Sequence, residues 1–164
     1  MQLKSLHASS IEAALERARH YRLLNDPENA ESICLDVLDV DAVHQDALIQ
    51  LILCLTDQFD GGTARVDQAR QFLSRVSDEY ARSYYAGLIC ERAARSMLNR
   101  RNTRDGRHAA WQWLNEARTH YETAETLSSR ECEDAVLRWN ACTRMIENRK
   151  LTPDSNDDFV VYGD

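Results

Sequence analysis

The sequence predicts an all-α protein, and three features carry that prediction. Only 5 glycines and 2 prolines punctuate 164 residues, too few for the many turns of a sheet protein. Apolar residues recur at three- and four-residue spacing along most of the chain. Helix-start residues stand ahead of several of those stretches. Hydrophobic residues make up 43% and charged residues 29%, the balance of a folded chain able to bury one core.

Helix one is expected from about Ser10 to Leu24. Ser9 and Glu12 have capping-box spacing, and Ile11, Ala14, Leu15, Ala18 and Tyr21 share a face. Asn25-Asp26-Pro27 ends it and opens helix two, with Asp26 as N-cap and Pro27 in the first helical position. Ala30, Ile33, Cys34, Val37 and Leu38 form the buried stripe of that second helix. Asp41 reads as the cap of helix three, Val43 to Gln58. Gln50 alone is polar between Ala47 and Leu55, so this helix is buried nearly all round.

Asp60-Gly61-Gly62-Thr63 breaks the chain before helix four, which runs to about Val76 with Val66, Ala69, Leu73 and Val76 inward. Ser77-Asp78 caps helix five, Glu79 to Arg100, with Ala81, Tyr85, Leu88, Ile89, Ala93 and Met97 in a row. Arg100 to Gly106 reads as a basic loop. Helix six, Arg107 to Leu127, buries Ala110, Trp113, Leu114, Ala117, Tyr121 and Ala124. Helix seven, Glu131 to Asn148, buries Ala135, Trp139, Cys142 and Ile146. Residues 1–150 form one domain of about seven helices, and 151–164 an acidic, flexible tail.

Two stretches repeat one spacing. Ala30 is followed by Cys34 and Val37, and Ala117 by Tyr121 and Ala124, a small residue, a larger one four on, a small one three further. Ala18 and Tyr21 precede the first of them as a small-then-aromatic pair, and helix three follows at a period near ~34 residues. These stretches resemble the tetratricopeptide repeat family. The resemblance implies a right-handed α-α superhelix of helical hairpins, about three plus a closing helix. It also implies a protein-protein interaction module, an adaptor or scaffold, whose first helices line a concave groove. The family's early large aromatic is Ala14 in hairpin one and Leu48 in hairpin two.

Several other functions find little in the residues. A formal charge of −7 argues against a nucleic-acid partner, and no apolar run is long enough for a membrane span. Five scattered cysteines without a CxxC pair, and no apolar leader, point to reduced thiols and a cytoplasmic protein. Glu116 and His120 are one helical turn apart, but no HExxH and no second carboxylate–histidine pair accompanies them. Cys90 and the Trp111/Trp113 pair read as packing residues. Neither an enzyme nor a cofactor or metal is expected.

The expected partner is another protein or a peptide, an acidic one by the residues available. Only Lys4 and Lys150 are lysine, so the other 18 of the 20 basic residues are arginine, whose planar fork suits carboxylates. Arg19 and Arg22 on helix one, Gln50 on helix three and Arg82, Arg92 and Arg95 on helix five are the candidate groove residues. The competing reading makes these arginines a solvated helix face. Two other functions stay open: a small cytosolic chaperone like the acidic, repeat-built chaperones of secretion systems, and an enzyme or regulatory subunit whose site shows no motif. The tail's four aspartates around Phe159-Val160-Val161-Tyr162 could dock on a groove or on the arginine loop. A homo-oligomer is compatible with all of this.

Overall fold

The computed structural model describes residues 3–59, 64–100, 104–128 and 133–153. Seven α-helices account for most of them: α1 (Ile11–Leu23), α2 (Pro27–Val40), α3 (Gln45–Asp57), α4 (Ala64–Leu73), α5 (Glu79–Arg100), α6 (Arg104–Leu127) and α7 (Asp134–Asn148). Each packs on its successor as an antiparallel neighbour, and α3 also touches both α1 and α5. The all-α prediction therefore holds. No helix among the described residues is long and apolar enough to cross a membrane.

Local chemistry explains most of the boundaries. Asp26 caps α2 through Asn29 N at 3.3 Å, with Pro27 as the first helical residue. Asp78 caps α5 by accepting from Ala81 N at 2.7 Å. Two other caps differ from expectation. A single 3-10 turn, Ala8–Ser10, leads into α1, so Ser10 and not Ser9 stands at its N-cap, without a side-chain bond. At α3 the cap is His44, whose Nδ1 accepts from Ala47 N at 3.3 Å, because the chain spends Asp41 on Val43 N in the turn after α2. The basic loop is also shorter than expected. Arg100 closes α5, and α6 already runs from Arg104, with Asp105 in its first turn where a carboxylate suits the helix dipole. Residues 101–103 lie outside the described residues.

The core has two parts that meet at α5. One is built from α1 to α4 with Ile89 and Ala93 of α5, and includes the fully buried Leu15, Leu48, Leu51, Ile52 and Leu55. The other joins Cys90, Ala94 and Leu98 of α5 to α6, α7 and Leu151. Sequence periodicity found only the first face of α5, because Cys90, Ala94 and Leu98 lie beside it as a second stripe. Leu151 extends the packed part past α7, where Arg107 Nη2 donates to the carbonyls of Arg149 (2.6 Å) and Lys150 (2.9 Å). Both small–large–small triplets are fully buried. Cys34 belongs to the first core and Tyr121 to the second.

One close approach of two helices is at Gly87 of α5. A Cβ on Gly87 would stand 2.7 Å from the Tyr121 ring, closer than real carbon contacts. In an open helix Gly→Ala stabilises by about 1 kcal/mol. Overpacking costs about 1–3 kcal/mol, and here the ring that must move is fully buried. Gly87→Ala is therefore expected to lower stability in urea titration, whereas the propensity scale alone would raise it.

Cys34, Cys54, Cys90 and Cys142 are buried and unbridged. Burial, then the Glu116 carboxylate, pushes Cys90 up to about 12. Burial, then Glu91, pushes Cys142 up to about 12. A hydrogen bond with Cys54, followed by burial, raises Cys34 as well. Thiols whose folded pKa is raised favour the fold fully below their ordinary value of about 9, and that contribution is lost as pH rises toward 12. Stability should accordingly fall from pH 8.5 to 10.5. In a Cys132→Ser background, all four thiols should resist Ellman's reagent at pH 8 and react once urea unfolds the chain, since the thiolate is the nucleophile.

Candidate functional site

The candidate arginines lie mostly on one face, formed where α3 touches α1 and α5. Arg19 of α1 pairs with Asp46 at the start of α3. Arg22, three residues on, donates Nε to Asp57 Oδ2 at 2.8 Å, at the other end of α3. The second oxygen of Asp57 accepts from Arg92 of α5, whose Nη1 also reaches Thr56 Oγ1 at 2.8 Å. One carboxylate on α3 thus ties α1 to α5. Gln50 shares the stripe of Asp46 and Asp57 on α3, at four and seven residues' spacing. It is only 9% exposed, and among the described residues no donor meets its buried Oε1. Tyr85 borders the same region: burial raises its phenol, and Asp46 and Arg22 are among the charges that act on it.

Arg92 and Arg95 line one open cleft of about 210 Å³, together with Thr56, Asp57, Phe59, Ser96 and Asn99. Arg95 is held from behind. Its Nε and Nη2 donate to Glu91 Oε1 at 3.2 and 3.0 Å, and Arg138 of α7 donates to the same oxygen at 3.3 Å. Glu91 Oε2 accepts from Tyr121 at 2.9 Å. Glu91 is 1% exposed, while the side chains of Arg95 and Arg138 are 51% and 39% exposed. Burial works against the Arg138 charge, but a hydrogen bond with Tyr84 and the Glu91 carboxylate outweigh it and raise its pKa. Burial, then Glu91, raises Tyr121, so the phenol stays protonated and donates. A buried carboxylate with three such donors is satisfied, and it fixes both guanidiniums.

Arg82 stands apart from this group. It donates to Val76 O at 3.1 Å and lies 3.9 Å from Glu79, ten residues before Arg92 on the same helix. Sequence reasoning missed Asp57, Glu91 and Arg138, and it placed Tyr121 in the core without its bond to Glu91. Glu91 carried a readable signal, a charge set inside the apolar run Leu88-Ile89-Cys90 and Ala93-Ala94. A long-range partner such as Arg138, 47 residues away, leaves no local trace.

A second cluster joins α4, α5 and α6. The Cys90 thiol, the Glu116 carboxylate and His120 Nε2 lie within 4.8 Å of one another, a set of donors that suits a transition metal. The Arg70 guanidinium sits among them, 2.7 Å from Glu116 Oε1 and 3.8 Å from Cys90 Sγ, with its carbon 4.8 Å from the Trp113 ring centre. The guanidinium thus already meets two of the three donors, Glu116 and Cys90. Comparison with protein-family models, with curated proteins and with solved structures gives no match to this chain.

The two kinds of ion pair should respond differently to substitution. Glu91→Ala leaves two guanidiniums and a buried phenol without their acceptor. It is expected to cost about 1.5–3 kcal/mol, the range for hydrogen bonds to charged groups. Glu116→Ala breaks a pair that is nearly half-exposed on both sides, and should cost less than about 1 kcal/mol. Urea denaturation of the two variants, side by side, checks the ranking.

Proposed function

We propose that this chain is a protein-protein interaction module, an adaptor or scaffold that takes a peptide or protein along the face shared by α1, α3 and α5. In this reading the helices are tetratricopeptide-like hairpins wound as a right-handed superhelix, with the first helix of each pair lining the concave side. The packing of α3 on both α1 and α5 supports that arrangement, since a plain row of hairpins needs only sequential contacts. The observation that carries the functional reading is the polar face itself. Arg19, Arg22 and Arg92 are held by ion pairs to α3 and Arg95 by Glu91 of α5, yet Arg19 and Arg95 keep 43% and 51% of their side-chain surface in solvent. Ordered but accessible donors are what a binding surface needs, because little side-chain freedom remains to be lost on binding.

Site-specific photocrosslinking tests this. A benzoylphenylalanine at Arg19 should give a discrete adduct with another protein in the source cells. The same group at Glu28, exposed on α2, should give none. Equal adducts at both positions, or none at Arg19, would overturn the reading.

A further inference from the structure

We infer that the cleft between the end of α3 and the second half of α5 receives an acidic side chain, a glutamate or aspartate, of the bound partner. This rests on the scaffold reading above and names the chemistry that the same face recognises. Three observations carry it.

The first is size. At about 210 Å³ the cleft is smaller than the roughly 300–1,000 Å³ of pockets that enclose a cofactor or drug-sized molecule. It suits one side chain entering from a larger partner. The second is its donors. Arg92 and Arg95 stand one helical turn apart beside Asn99, while the hydroxyls of Thr56 and Ser96 already donate to the carbonyls of Leu53 and Phe59. Glu91 takes two of the five N–H groups of Arg95 and fixes the plane of the fork. Asp57 demonstrates the fit, since its carboxylate already bridges Arg92 to Arg22.

The third is charge. Among the described residues, Asp57 is shared by two arginines, Arg22 and Arg92, and Glu91 by two more, Arg95 and Arg138. Four guanidiniums of this network therefore share two carboxylates, and two of the four, Arg92 and Arg95, line the cleft, in a chain whose formal charge is −7. A bidentate carboxylate would give Arg92 and Arg95 a second acceptor beside Asp57 and Glu91. A neutral amide would bring them no charge.

The probe is a fluorescein-labelled decapeptide of alternating glutamate and leucine, with its glutamine–leucine counterpart, titrated into the full chain and followed by anisotropy. The glutamate peptide should bind at least tenfold more tightly. Arg92→Gln and Asn99→Asp should each weaken it tenfold or more. Both sites lie outside the Glu91 cluster, and circular dichroism of each variant verifies that the fold persists. Arg82→Gln removes the same charge away from the cleft and should leave affinity within twofold. The inference is overturned by equal affinity for the two peptides, by no binding of either up to 1 mM, or by equal weakening in Arg82→Gln, which would indicate a diffuse field. Inorganic phosphate that displaces the peptide below 1 mM would also overturn it, assigning the cleft to a phosphate group. The Arg19 crosslink separates the two readings. An adduct that persists in Arg92→Gln and Asn99→Asp, together with no peptide preference, defeats the cleft but not the scaffold. Peptide preference without any adduct defeats the scaffold alone.

Discussion

Tyr121 packs its ring on the bare backbone of Gly87 and gives its hydroxyl to Glu91 one turn further along α5. Much of the fold follows from that contact. Without a side chain at position 87, the Tyr121 ring of α6 can lie directly against α5. The phenol then lets a carboxylate remain inside the core. That carboxylate in turn holds Arg138, so α7 is tied to α5 across the helix between them. Because the opposite face of α5 supplies Ile89 and Ala93 to the first core, the same helix joins the two halves of the molecule.

The ion pairs of the inner face serve geometry more than stability. Arg22, Arg92 and Asp57 are 20–26% exposed, so solvent screens them, and pairs of this kind contribute at most a few tenths to about 1 kcal/mol. The apolar cores contribute far more, at about 1.5–3 kcal/mol for each fully buried leucine or isoleucine. What the pairs add is orientation. An arginine on a long flexible stem loses its fork direction in water, and a carboxylate across the helix contact restores it. The weakness of such a pair is an advantage for recognition, since an incoming carboxylate can join or replace it at small cost.

Helices were legible in this sequence wherever one face was apolar and the start carried its own cap. Asp26-Pro27 and Asp78 announced α2 and α5 because the capping group lies three residues from the amide it serves. His44 could not be read the same way, since a ring nitrogen is an uncommon cap and the nearby Asp41 offered a commoner one. The second stripe of α5 stayed hidden for a different reason. A helix buried on two sides shows weak periodicity, and Glu91 within it looks like a break until its partners come from α6 and α7. The arginines of the inner face could be named from helical spacing. Their counter-charges could not, because Asp46 and Asp57 lie 27 and 35 residues from the guanidiniums they meet.

Two clusters of similar composition sit on α5, and their difference lies in how charge is shared. Around Cys90 one guanidinium, Arg70, meets one carboxylate, Glu116, and adds a ring face and a thiol. Around Arg92 and Arg95 each carboxylate serves two guanidiniums, and surplus donors border an open cleft. The first arrangement closes on itself as a weak link between α4 and α6. In the second, attraction remains for a further anion even after each internal acid has taken its partners. A helix that is mostly core can in this way present binding chemistry along one edge. The buried acid holds the base, and the base faces out.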